Sequence, residues 1–164
     1  DFICNLIDLS VNKKSSYVDW DTCFYPLDSI GDWNRMYGKG GFFQFQCVLP
    51  KELSEEGYKK ILSIIQRKSS GSFLAVLKDF GSGNGNLSFP REGLTLALDF
   101  KASKKNIEVG RELTDVVNDL EGSFYLAKDA ILDATQFNPN FNRQEFSRFR
   151  NSSINSEQST RLKL

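Results

Sequence analysis

Ten residues, Gly41-Phe-Phe-Gln-Phe-Gln-Cys-Val-Leu-Pro50, constrain this chain more than any others. They alternate, so as a strand they have two unlike faces. Phe43, Phe45, Cys47 and Leu49 point one way; Phe42, Gln44, Gln46 and Val48 point the other. A surface strand would usually carry Lys, Glu or Thr on its wet side. Two amides at i and i+2 between aromatics suit a recognition surface instead, because each can donate and accept without adding charge. A half-exposed strand whose amides meet water is the plain alternative.

The remaining periodicity fits around that strand. Leu53 to Arg67 reads as a helix, with Tyr58, Ile61, Leu62 and Ile65 as a buried stripe and Gly57 as a weak point. Ser72 to Phe80 is a second strand and Gly93 to Phe100 a third. Asn106 to Leu120 is a second helix, its stripe formed by Val109, Leu113, Val116, Val117 and Leu120; Ser123 to Lys128 is a fourth strand. The order β-α-β-β-α-β predicts an α+β, ferredoxin-like fold, an antiparallel sheet with both helices on one face. The uncovered face would carry Gln44, Gln46, Thr95, Ala97 and Asp99, joined by Leu74, Val76 and Lys78, with Phe73, Ala75 and Leu77 turned inward. Such a face needs solvent, a partner domain or a ligand over it.

Three parts are expected: an N-terminal strand (Phe2 to Leu9) with an irregular lid or linker over 1–40, a ferredoxin-like domain over 41–130, and a helical extension and tail over 131–164, the polar end from Asn151 reading most plainly as frayed. The chain opens on Asp1 rather than Met, which suggests a piece of a longer polypeptide. The Phe-rich stretch after residue 133 (Phe137, Phe141, Phe146, Phe149) reads as docking anchors.

Charge and residue usage narrow the chemistry. Lys plus Arg is 21 and Asp plus Glu is 21, so a nucleic-acid partner, which calls for a basic excess, is not expected. Cys4, Cys23 and Cys47 are too few and too far apart for a disulfide framework or a zinc motif, and reduced thiols suit a cytoplasmic setting. Histidine is absent, which removes Ser-His-Asp, Cys-His and His-metal chemistry from this chain. Neither a GxGxxG fingerprint nor a Walker phosphate loop occurs, and no apolar run is long enough for a membrane span. From spacing alone, Lys128 would sit at a strand end in a surface ion pair with Asp129.

Seven motifs then occur in order: Phe24-Tyr-Pro-Leu-Asp28, Trp33-Asn-Arg35 with Tyr37-Gly38, Gly41-Phe-Phe-Gln-Phe-Gln46, Ser72-Phe-Leu-Ala-Val-Leu-Lys78, Leu87-Ser-Phe-Pro90, Leu96-Ala-Leu-Asp-Phe100 and Tyr125-Leu-Ala-Lys-Asp129. Over roughly Asp21 to Leu164 the chain resembles the C-terminal substrate domain of the decaprenylphosphoryl-β-D-ribose 2'-epimerase oxidase subunits, FAD-linked oxidases of the vanillyl-alcohol oxidase superfamily. The resemblance implies oxidation of a sugar 2'-hydroxyl, on a polyprenyl-phosphate-linked pentose of bacterial cell-wall polysaccharide synthesis, by hydride transfer to flavin. It implies FAD held mainly by an N-terminal domain that this chain lacks. Other implied partners are the lipid-linked sugar and a short-chain reductase, in a cytoplasmic setting at the membrane face.

Carried over by position, the resemblance makes Lys128 the catalytic lysine and, with Tyr125, a cofactor contact. Gln44, Gln46, Leu74, Val76, Lys78, Thr95 and Ala97 become substrate-binding residues, with Tyr25 and Arg35 on loops over the pocket. There are departures. Ala97 stands where some relatives have a cysteine, the tail follows the family ending only at Ser159-Thr-Arg-Leu162, and the His-Trp dipeptide of the sugar-lactone oxidases is missing. Two rival readings are a non-catalytic ferredoxin-like module that binds a partner protein or small ligand on its open face, and an amino-acid-sensing domain. The second lacks the Gly/Asp-rich turn expected at its first strand–helix junction.

Overall fold

The β1–β3 pair organises the sheet: Phe42–Pro50 (β1) runs antiparallel to Gly93–Lys101 (β3), with Gln44 opposite Asp99 and Gln46 opposite Ala97. Ala75–Phe80 (β2) flanks β3 and Ser123–Phe124 (β4) flanks β1, both antiparallel, giving the order β2-β3-β1-β4. This computed structural model describes residues 17–83, 89–137, 143–149 and 155–164. The strand expected at Phe2 to Leu9, residues 84–88 with the first half of the Leu87–Pro90 motif, and Asn138 to Phe141 lie outside the described residues.

The helices are Trp20–Phe24 (α1), Lys51–Arg67 (α2), Lys104–Asp119 (α3), Arg143–Phe149 (α4) and Glu157–Leu162 (α5). The expected α+β, ferredoxin-like arrangement is therefore present, with α2 and α3 on one sheet face. Phe43, Phe45, Cys47, Leu49, Leu96, Leu98 and Phe100 meet Tyr58 and Ile61 of α2 and Val109, Leu113 and Val117 of α3 in one core. Each fully buried large apolar side chain contributes about 2 kcal/mol by removal from water. The helix ends have local causes. Ser103 caps α3 by accepting from the Asn106 amide at 3.2 Å. Left-handed Ser69 and Glu121 close α2 and α3, with return bonds from Ser70 N to Ile65 O and from Gly122 N to Val117 O.

Four expectations need correction. Leu62 is 55% exposed; Gly57, not Leu62, fills the α2 seam, where it lies against Leu49 and Leu120. Ala75 and Leu77 are exposed on the outer strand β2, and Phe73, before that strand begins, packs edge-on against Tyr37 instead of entering the core. The tail does not fray over its last residues: α5 is capped by Ser156 and buries Leu162 completely. Cys47 is the free, buried thiol expected, but Cys23 is disulfide-bonded, against the expectation of reduced thiols throughout. Phe137 does join the core. Among the described residues, no helix is long and apolar enough to cross a membrane.

One glycine is dictated by close approach. Gly93 begins β3 at φ +145°, and a Cβ there would sit 2.0 Å from the Leu49 carbonyl oxygen. Gly93→Ala should therefore lower unfolding stability by about 2 kcal/mol or more, measured by urea denaturation. An unchanged midpoint would contradict the β1–β3 register.

Candidate active site

On the sheet face away from α2 and α3 lies a cleft lined by Gln44, Gln46, Leu74, Val76, Lys78, Thr95, Ala97, Asp99 and Lys128. Strand alternation brings most of these together. Gln44 and Gln46 are i and i+2 on β1, and Thr95, Ala97 and Asp99 are i, i+2 and i+4 on β3, so all project from one face. Lys78 lies opposite Thr95 and Val76 opposite Ala97, so the edge strand extends the same surface.

Lys128 arrives differently. The fourth strand is only two residues long, and Leu126–Lys128 forms a 3-10 turn, not the strand end expected. Its base is fixed by the Tyr125 amide donating to Gln46 O at 3.0 Å and the Lys128 amide to Tyr125 O at 3.0 Å. Nor does Asp129 pair with Lys128. The Asp129 carboxylate accepts from the amides of Ile131 and Leu132 and forms an ion pair with Arg161 at 3.0 Å. The same tail helix adds a bond from Gln158 Nε2 to Leu126 O at 2.6 Å and one from Arg161 to Leu132 O. The tail thus clamps the turn that carries Lys128. Among the described residues, neither Lys78 nor Lys128 forms an ion pair.

The polar groups of the cleft have a fixed sense. Thr95 Oγ1 donates its only proton to Cys47 O at 2.9 Å, so toward Gln46 it can only accept. Gln46 Nε2 donates to it at 3.3 Å, and Gln46 Oε1 is left buried without a partner. Asp99, 2% exposed, accepts from Gln44 Nε2 at 2.8 Å on one oxygen and from the Tyr37 hydroxyl at 3.1 Å on the other. Tyr37 is itself buried, stacked on Phe42 with ring centroids 4.4 Å apart. Asp99 and Tyr37 belong to this network although they were not among the expected site residues. The clue to Asp99 was its place in the open-face alternation; nothing in the sequence announced Tyr37 as its partner.

Three expected site residues lie outside the cleft. Tyr25 is 56% exposed and meets Trp20 edge-on, and Arg35 is exposed and paired with Asp32. Tyr125 packs on Phe89 at 4.9 Å and lines a smaller adjoining depression with Gln44 and Gln46. The segment 20–38 is a series of short helical turns, so it is less irregular than expected. Trp20, Phe24, Ile30 and Met36 are exposed in it.

No family model matches the chain. Among curated proteins it is similar to "Decaprenylphosphoryl-beta-D-ribose oxidase" of Mycolicibacterium smegmatis (strain ATCC 700084 / mc(2)155), with 42% identity over 131 residues. The chain is a homologue of part of that oxidase. The match takes in 79% of this chain and 28% of the oxidase, so the chain spans under a third of its relative's length. The family resemblance carried by the seven motifs is thus supported by an alignment across 79% of the chain.

The phenol of Tyr37 offers a direct check on this geometry. Burial and the adjacent Asp99 carboxylate push its pKa up from 10.0 to about 12. The folded value lies above the unfolded one, so its contribution to stability is complete below pH 10 and fades as the pH rises through about 12. Phenolate absorbance should therefore show a late-titrating fraction. Tyr58, also pushed up by burial, shares in it. That fraction should shrink in Tyr37→Phe; an unchanged curve would mean that the buried contact does not form.

Proposed function

We propose that this chain is the substrate-binding part of an FAD-dependent oxidoreductase that oxidises the 2'-hydroxyl of a polyprenyl-phosphate-linked pentose to a ketone. The observation that carries the reading is the gathering of Gln44, Gln46, Lys78 and Lys128 in one cleft on the uncovered sheet face. Homology to part of an enzyme named as an oxidase of decaprenylphosphoryl-β-D-ribose supports it. The FAD would be held mainly by a separate N-terminal domain seated over this face.

The residues present fit such a group. Gln46 Oε1 is a buried acceptor awaiting a donor, and the Lys78 and Lys128 ammonium groups have no carboxylate among the described residues. Together they suit a ring with N–H donors and an electron-rich edge, beside an anionic, hydroxylated substrate. When bound, FAD supplies the two-electron acceptor that a secondary alcohol needs to become a ketone.

This chain's own residues would bind and orient. Gln44 accepts a hydrogen bond from a sugar hydroxyl, with Gln46 beside it, and so fixes which C–H faces the acceptor. Lys128 places positive charge where negative charge develops, and its turn is held rigid by Gln158 and Arg161, so little reorganisation is needed at the moment of reaction. Lys78, at the opposite side of the β3 register, suits the substrate phosphate. Leu74, Val76 and Ala97 give an apolar wall against the sugar ring. Tyr25 and Arg35 could contribute only by movement of the 20–38 segment toward the cleft.

In the full-length enzyme, Lys128→Ala should slow flavin reduction by substrate at least a hundredfold, followed by anaerobic stopped-flow absorbance, while the bound flavin content stays at the wild-type level. Reduction at the wild-type rate would contradict this role. A full-length protein that holds no flavin would sink the whole reading.

A further inference from the structure

A carboxylate that is almost wholly buried, with no cation paired to it among the described residues, needs a reason, because burial of charge is costly unless its oxygens are satisfied. Asp99 is 2% exposed, and the partners of its two oxygens are the neutral donors Tyr37 Oη and Gln44 Nε2. Its backbone amide is held as well, by Ser72 Oγ at 2.9 Å and Leu74 O at 3.2 Å. The carboxylate therefore cannot turn freely. An ionised carboxylate only accepts, so whichever end of Gln44 faces it must be the NH₂. The carbonyl end, Oε1, is then the group that Gln44 offers the cleft. Gln46 is fixed in the same sense by Thr95, whose single proton goes to Cys47 O.

We propose that Asp99, braced by Tyr37, is a positioning residue that sets the amide of Gln44 with its oxygen toward the ligand. The cleft then presents the Gln44 carbonyl as a fixed acceptor and selects a ligand that places a hydroxyl donor against it, while the Gln46 oxygen stays enclosed. This rests on the reading of the cleft as the substrate site. It goes beyond that reading by naming the pair that fixes the amide. A purely structural role, a clip fastening the Trp33–Tyr37 turn to the sheet, is the competing account.

Asp99→Asn separates the two. Asn can keep its oxygen on the Tyr37 hydroxyl, so the clip survives, and its NH₂ then faces Gln44 and reverses that amide; in Asp99→Asn with Tyr37→Phe, where no hydroxyl competes, the same reversal is expected. In the full-length, flavin-loaded enzyme, KM for the lipid-phosphate-linked pentose should rise about tenfold or more, with kcat much less affected. Asp99→Asn combined with Gln44→Glu restores an oxygen toward the cleft at unchanged net charge and should recover most of that loss. The side-chain amide signal of Gln44, read by ¹⁵N NMR of the same protein and assigned by its disappearance in Gln44→Glu, should shift in Asp99→Asn. Should that variant not fold, Tyr37→Phe frees the carboxylate to rotate and should move the same signal and raise KM. An unmoved Gln44 signal, or a KM equal to wild type, would overturn the proposal. A wild-type enzyme that oxidises no pentose would instead overturn the reading of the site, while the amide signal would still decide whether Asp99 sets Gln44.

Discussion

Everything at the cleft depends on the β1–β3 register, in which Gln44 lies opposite Asp99. Strand side chains alternate with a period of two, so a slip by one residue would turn both glutamines into the helix-covered core and push Phe43 and Phe45 out. The register is held from both sides. Phe43 stacks against Phe100 at 5.6 Å under the helices, and Gln44 is bonded to Asp99 on the open face. Gly93 lets β3 begin close against the Leu49 carbonyl. Core packing and cleft chemistry are thus two faces of one strand pair.

The cleft is arranged by division of labour. The sheet supplies a rigid floor of amides and small side chains, while the lysine comes from a turn that the sheet does not contain. That turn is secured by the C-terminal helix, through Arg161 on a 5%-exposed Asp129 carboxylate and Gln158 on the Leu126 carbonyl. Because Asp129 is spent on Arg161 and on two backbone amides, Lys128 is not neutralised by its sequence neighbour. A charge left without a carboxylate partner among the described residues, in a concave site, is available to a ligand, whereas the exposed i,i+4 pairs on α2, such as Lys59 with Glu55, are ordinary surface pairs of little energetic weight.

The regular part of the fold was legible in the sequence because its signals are periodic. The alternation of β1 and β3 and the stripes of α2 and α3 report their own buried faces. What was not legible depends on tertiary contact. Leu62 falls on the stripe by spacing yet faces out, because α2 is set by Gly57 against Leu49 and Leu120. The tail composition is polar, and only its docking on Asp129 and Leu132 makes an ordered helix of it. In the cleft, the alternation and the family motifs named most lining residues, but hydrogen-bond partners 62 residues apart, such as Tyr37 and Asp99, leave no local trace.

The central claim is that the Gln44–Gln46 face is covered by a flavin held in another domain. The most direct test is the structure of the full-length protein with its flavin bound, solved by crystallography. The isoalloxazine ring should lie over the cleft, with the Lys128 ammonium in contact with it and Gln44 and Gln46 facing the space for the sugar. A flavin seated elsewhere, with this face open to solvent or covered by an unrelated surface, would contradict the claim.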